Sequence, residues 1–481
     1  MTLDRRRSGG TCQDPYARNC VELTPSASPP AARDLDTETS FLWNKNILQN
    51  ARQTVKIHGM KRLINRFQTY ILSRHLRHFP VVAVIGARQT GKTTLVRDLL
   101  PGKRKFISFD EPVNMMLAEQ DAASFLKQAA RVTIDEVQKV PALFTAIKQI
   151  VDQKRTNGQF LITGSANITM LPQISESLAG RVAFVEMGPF AALELSGLSA
   201  SAGADLAKPK LMDILAARTS KQCWQILSGI KPQPMPLERY IWRGGLPPAF
   251  LLGNDQARQE WFKGYVRTYL ERDVRDLSRI QRLYEYQKFL TLLAFRSAQI
   301  FNKSEVARDC GVPNTTAGHY LDLLLATFQV WLLPPFFRNI GKRLIKAPKL
   351  MWNDTGLAMY LQGLHTWEDA CRMGRDSFMA ENKIAIELRT VLSVYEPAAK
   401  LFYWRTSGGA EIDFIIEFQD RLIPIEVKWK RALKSKDIAS MDIFCKDFKD
   451  NSPWGIILYK GKDLIKVKEN IFLVPFEYFL Q

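Results

Sequence analysis

Residues 81–100 read VVAVIGARQTGKTTLVRDLL, and no other stretch limits so tightly what this chain can fold into. Apolar residues of strand character run into Gly86, a loop carries the chain to Gly91, and Lys92 and Thr93 open a helical pattern. Strand, GxxxxGKT and helix in that order make a phosphate cradle. Gly86 and Gly91 let backbone N–H groups face the phosphates, and the following helix directs its positive end at them. Lys92 supplies a mobile point charge for the β- and γ-phosphates, while Thr93 offers a hydroxyl to Mg²⁺. Ala87, Arg88, Gln89, Thr90 and Thr94 complete the loop. The cofactors this predicts are ATP and Mg²⁺.

Hydrolysis needs carboxylates as well. VTIDE is an apolar strand ending in Asp135 and Glu136, where a parallel sheet would return beside the loop. Asp135 is expected in the Mg²⁺ shell, and Glu136 as the base that polarises the attacking water. The strand QFLITGS ends in small polar residues, so Ser165 or Asn167 is expected to reach the γ-phosphate or the water. A helix ending in SLAGR leaves Arg181 at its C-terminus, a place where the helix dipole alone would favour a cation.

From Pro80 to about Glu186, the strands VVAVIG, KFISFD, RVTIDE, QFLITGS and VAFVEM alternate with helical stretches, the rhythm of a parallel α/β sheet. Helical patterns dominate from Pro236 to about Phe328. After Phe378 a long helix gives way to the strands LFYWRT, EIDFIIEF and LIPIEVKW. The expected organisation is an ATP-binding core over 60–190, a linker and helical lid over 191–290, a winged helix over 291–365 and a last α/β domain over 366–481. Residues 1–59 are rich in Ser, Pro, Ala, Asp and Arg without apolar period, and read as a disordered tail or the product of an upstream start codon.

The motifs IGARQTGKTT, IDEVQKVP, LITGSAN, SLAGR, RGGLPP and YVRTYLERDV occur in that order. The chain thereby resembles the large, poorly characterised family of bacterial and archaeal AAA-type predicted ATPases, whose C-terminal half carries a domain of unknown function with nuclease-like features. The resemblance implies an AAA-like core in which Arg181 is an arginine finger acting across a subunit interface, and hence a homo-oligomer. It also implies that Gly244, Gly245 and Pro247 form the family's GG-x-P element, with Arg243 as a sensor candidate. YVRTYLERDV reads equally as a solvated helix pairing Glu271 with Arg275 and Arg272 with Asp276.

Asn302 and Glu305 start a helix, CGVP breaks it, and Asn314 is placed to cap the next. This reads as helix-turn-helix, followed by a wing carrying Lys342, Arg343, Lys346 and Lys349 for phosphate contacts. Thr315, Thr316 and His319 are all that the presumed recognition helix offers to bases, so backbone binding without strong sequence readout is expected. A lid or a protein contact is an equal alternative for this region.

In EIDF and PIEVKW, period two places Glu426 and Lys428 on one face, beside Asp413 on the neighbouring strand. The arrangement resembles the PD-(D/E)xK core of restriction-endonuclease-like domains, in which Asp413 and Glu426 would hold Mg²⁺, Lys428 would place a water, and Glu381 would be the extra helical acid. Amphipathic hairpins often show Asp, Glu and Lys outward, so cleavage by this site stays open.

Lys and Arg outnumber Asp and Glu by 67 to 48, a formal charge of +19 that attracts polyanions, with DNA the expected partner. Six cysteines without CxxC spacing and five histidines argue against zinc. No apolar run long enough for a membrane span and no signal sequence are seen, which places the chain in the cytoplasm and off the membrane. An ATPase associated with DNA is the main reading. An ATP-dependent switch that recruits a protein, and a DNA-binding module that does not cut, are the alternatives.

Overall fold

Val81, Ala83 and Ile85 lie on one side of strand β1 (Val81–Ile85) and Val82 and Val84 on the other, and each set enters a different buried cluster. A strand apolar on both faces belongs inside a parallel sheet covered on two sides. That sheet has the order β2-β3-β4-β1-β5, with β2 (Lys105–Ser108), β3 (Val132–Asp135), β4 (Phe160–Gly164) and β5 (Val182–Glu186), and every pairing is parallel. One difference from the sequence expectation matters. β4 separates β3 from β1, so the Asp135 strand is the second neighbour of the loop strand.

The computed structural model describes residues 63–480 apart from 101, 165–176, 196–207, 233–234, 271–282, 340, 342 and 344–345. The expected tail over 1–59 lies outside the described residues, as do Ser165, Asn167, Lys342 and the expected pairs of Glu271 with Arg275 and Arg272 with Asp276. Among the described residues no helix is long and apolar enough to cross a membrane.

The middle of the chain is helical, with a small antiparallel sheet of order β6-β8-β7: β6 (Gln299–Ile300), β7 (Val330–Leu333) and β8 (Lys349–Trp352). Asn302 caps the helix Lys303–Cys310 by accepting from the Ser304 and Glu305 N–H groups, and Gly311, at φ +76°, ends it. The next helix, Asn314–Ala326, starts differently from the expectation. Extended Pro313 is its N-cap, and Asn314 is already the first helical residue.

The C-terminal part packs the long helix Asp376–Tyr395 and the helix Ala439–Asp447 against a six-stranded mixed sheet of order β13-β14-β12-β11-β10-β9. The hairpin strands β9 (Lys400–Arg405), β10 (Glu411–Phe418) and β11 (Arg421–Lys428) are antiparallel. β12 (Gly455–Tyr459) and β14 (Ile471–Pro475) continue the sheet in parallel, and β13 (Ile465–Lys468) closes it.

Buried charges tie these parts together. Asp354 caps the helix Thr355–Leu361 through the Leu357 N–H (2.7 Å) and also accepts from Gly245 (2.6 Å) and Leu246 (2.9 Å). Gly244, at φ +71°, has no room for a side chain, since a Cβ there would lie 2.3 Å from the Asp354 carboxylate. On the long helix, Glu387 pairs with Lys383 at 3.0 Å and accepts from the Ala192 N–H at 2.7 Å, with no exposure to water.

Asp354→Ala strands three buried N–H groups and should cost about 3 kcal/mol or more of unfolding free energy. Asp354→Asn, which keeps an acceptor, should cost clearly less. Urea unfolding midpoints that match wild type in both variants would show that these contacts carry no stability.

Candidate active site

Gly86 sits at φ +148°, and a Cβ there would lie 2.2 Å from the Met187 carbonyl oxygen, so the loop can leave β1 only as glycine. Gly91, at φ +94°, turns the chain into the helix that begins at Lys92 and continues as a π-helical turn over Leu95–Leu99. Between them the Thr90 hydroxyl donates to the Ala87 carbonyl at 2.9 Å. The Lys92 ammonium donates to the carbonyls of Gly86 (3.0 Å) and Ala87 (2.8 Å). It is 6% exposed, and burial pushes its pKa down to about 8 against the pull of Glu136 and Asp135.

Across the sheet, the Thr93 hydroxyl donates to the two Asp135 oxygens at 3.0 and 3.1 Å. Asp135 is buried, which raises its pKa, while hydrogen bonds from Thr163 and Thr93 oppose the shift. Hard oxygen donors set side by side at a phosphate loop are the donor set Mg²⁺ takes, so Thr93 and Asp135 fit that ion. Glu136 stands in the left-handed region at φ 58°, a strained conformation for a residue with a side chain. Its N–H donates to the Thr163 hydroxyl at 3.3 Å, and its carboxylate accepts from the Gln138 amide.

Thr163 is therefore the residue that sequence reasoning missed. Its hydroxyl donates to Asp135 and accepts from Glu136, so it links the two acids from β4. The signal was present in LITGS. A polar residue in an otherwise apolar strand, one position before the end, is a candidate to face the site.

Arg66 is the second omission. Buried just ahead of the helix Gln68–His78, it donates to both Glu194 oxygens (3.0 Å), to the Thr90 carbonyl (2.8 Å), and to the carbonyls of Gly188 (2.7 Å) and Pro189 (3.1 Å). It binds the shoulder of the phosphate loop to the segment after β5. Nothing local in KRLINRFQ distinguishes it from the polar face of a helix. Tyr265 reaches the loop too, with its hydroxyl 3.3 Å from the Arg88 carbonyl.

Arg181 is held by Asp152 at 2.6 and 2.8 Å. Its carbonyl accepts from Val81 at the start of β1, whereas the loop leaves from the end of that strand, about 16 Å away at 3.3 Å per residue. It lies remote from its own chain's phosphate loop. In RGGLPP, Gly245 exchanges backbone contacts with Phe190, and the Pro247 ring lies beside Gly91. The Arg243 guanidinium donates to the Phe250 carbonyl (3.1 Å).

In the C-terminal sheet, Asp413 accepts from the Val427 N–H at 2.8 Å, next to a register irregularity between Ile412 and Ile415. Glu426 pairs with Lys428. Burial and the Asp413 carboxylate push Glu426 up to about 7 and Glu381 up to about 8. The wing expectation is corrected at two positions. Lys349 is 2% exposed, 2.8 Å from Glu381 and 2.6 Å from Glu411, because β8 carries it inward. Arg343 is bound by both Glu417 oxygens (3.0 and 3.1 Å) and stacks on Phe336 and Phe402. Lys346, Thr315 and His319 are exposed, and Thr316 is half-buried.

The loop, the threonine on a buried aspartate and the all-parallel sheet define a P-loop ATPase core. Residues 78–196 match the model of the AAA domain. Residues 236–368 and 377–479 match two domains of unknown function, DUF8612 and DUF4143. The uncharacterized proteins Rv2008c of Mycobacterium tuberculosis and Mb2031c of Mycobacterium bovis are each 33% identical over 360 residues, 74% of this chain and 72% of theirs. The chain belongs to the same family as these proteins, and its nucleotide module is an AAA domain. A solved structure, the Walker-type ATPase PABY2304 of Pyrococcus abyssi, matches 64% of this chain and 99% of its own at 14% identity, with a TM-score of 0.37.

Two outcomes follow for the loop. Phosphates raise the pKa of a lysine that is near 8 without them, so ATP binding near pH 8 should take up protons, and affinity should fall as pH rises beyond it. Calorimetric titration in buffers of different ionisation enthalpy reads this, and an enthalpy independent of buffer would mean that Lys92 stays charged throughout. Arg66→Met takes the cation away from the buried Glu194 carboxylate, at a cost of about 3–5 kcal/mol. Arg66→Met with Glu194→Gln should recover most of that stability but not the ATP affinity. Wild-type affinity in the double variant would make Arg66 purely structural.

Proposed function

We propose that the protein is a Mg²⁺-dependent ATPase in which Asp135 and Thr93 hold the metal, Glu136 takes the proton of the attacking water, and Lys92 meets the β- and γ-phosphates. The observation that carries this reading is the continuous chain Thr93–Asp135–Thr163–Glu136, which connects the end of the loop to the backbone N–H of an acidic residue held in a strained conformation. Mg²⁺, when bound, would neutralise charge on the phosphate oxygens. Thr163 orients the Asp135 carboxylate and holds the Glu136 backbone, and Arg66 keeps the loop shoulder in place from behind.

Arg181 completes the site only from a neighbouring copy, because its own loop lies at the other end of β1. This supports a homo-oligomer in which the Asp152 pair releases or aims the guanidinium at a subunit boundary. The helices Lys303–Cys310 and Asn314–Ala326 with the β7–β8 hairpin are read as a winged helix, and the β10–β11 region as nuclease-like. Together with the charge of +19, they support association with DNA through the phosphate backbone. Arg343 and Lys349 are spent on carboxylates inside the protein, so the exposed Lys346 is a better candidate for a phosphate contact.

Purified protein should hydrolyse ATP, Lys92→Ala should lose binding, and Glu136→Gln should bind ATP while turning over about 10²–10⁴-fold more slowly. DNA should stimulate turnover, and the stimulation should weaken with salt. Turnover unchanged in Glu136→Gln would remove the base assignment. ATP binding without turnover in the wild type would leave the protein-recruiting switch.

A further inference from the structure

The carboxylates of the C-terminal sheet already surround a cation, and it belongs to the protein. The Lys349 ammonium lies 2.8 Å from Glu381, 2.6 Å from Glu411 and 3.5 Å from Asp413, with its side chain 3% exposed. Glu381 comes from the long helix Asp376–Tyr395, and Glu411 and Asp413 from β10. Lys349 comes from outside that sheet. It opens β8 in the middle region, where the backbone pairs of Lys349 are Ile300 and Leu333. Its place is set in the β6-β8-β7 sheet, a different sheet from the one that carries Glu411 and Asp413.

An ammonium offers three N–H donors; here it donates to Glu381 and Asp413 and forms an ion pair with Glu411. A divalent ion at that point would need oxygens at about 2.0–2.1 Å in an octahedral arrangement, and would meet the repulsion of the charge already there. The acids are nonetheless in excess. Glu426 is 3% exposed, and its Oε2 has no hydrogen-bond partner among the described residues, while Lys428 engages the other oxygen. The cluster would take a second cation if the first were removed.

We propose that Lys349 is the resident cation of this cluster and excludes divalent metal from it for as long as β8 is docked against the C-terminal sheet. The proposal rests on the nuclease-like reading of β10 and β11 only for the identity of the ion displaced. Its consequence is that the C-terminal part engages its partner without metal-dependent cutting. Arg343 on Glu417, from the same β7–β8 connection, adds a second ion pair to the docking.

The test is Mn²⁺ binding to the full chain without nucleotide, counted from the electron paramagnetic resonance signal of free Mn²⁺. Wild type, Asp413→Asn, Lys349→Met and the double variant Lys349→Met with Asp413→Asn are compared. The expected result is equal binding by wild type and Asp413→Asn, with one additional ion per chain in Lys349→Met that the double variant loses. An ion on wild type that Asp413→Asn removes would overturn the exclusion while leaving the nuclease-like reading in place. No added ion on a folded Lys349→Met, judged by circular dichroism, would overturn the proposal and the metal-site reading together, leaving an ordinary ion-pair cluster. Should Lys349→Met not fold, Lys349→Gln takes its place with the same two outcomes, and an ion lost from wild type in Asp413→Asn refutes the exclusion by itself.

Discussion

Glu194 and Glu387, neither more than 1% exposed, grip the short segment after β5 from two sides, and most of the molecule hangs on that grip. Glu194 holds Arg66 together with the Phe67 and Ala191 N–H groups, and Glu387 holds Lys383 with the Ala192 N–H. Carboxylates lose several kcal/mol of hydration on burial, and such pairs persist only where nearly every lone pair is used. Here the backbone of one segment supplies that satisfaction. Removing a partner would strand a charge, so the geometry is set more sharply than apolar packing would set it.

Through Arg66 the same segment reaches the Thr90 carbonyl, and through Phe190 it reaches Gly245 and then Asp354. The phosphate loop, the GG-x-P element and the long C-terminal helix thus meet at one small stretch of backbone. Phosphates arriving at the loop would draw Lys92 from the Gly86 and Ala87 carbonyls and alter the loop that Arg66 clamps. Strain at Glu136 belongs to the same economy, because Thr163 and Gln138 hold a backbone conformation that the residue would otherwise leave.

The C-terminal cluster illustrates the opposite use of charge. Glu381, Glu411 and Asp413 are brought together by the sheet and the long helix, and their mutual repulsion is met by a lysine from another sheet. Domain docking and site chemistry become one event there. The segment that follows β7 and opens β8 gives Arg343 and Lys349 to this docking, so neither cation is turned to solvent.

The five strands of the core were legible because each is a short apolar run with turn residues at its ends, and the phosphate loop because its glycines answer a local steric demand. Asp135 and Glu136 could be read from the end of an apolar strand, and Glu426 with Lys428 from period two. Those signals are short in range, and one chain carries them whole. The insertion of β4 between β1 and β3, the reach of Arg66 to Glu194, the role of Thr163 and the burial of Lys349 were decided only by the tertiary structure. Arg66 and Glu194 are 128 residues apart, and Lys349 and Asp413 are 64 apart. A charged residue in an amphipathic segment looks alike in sequence whether it faces water or a buried partner, since the partner's position depends on how the sheets dock.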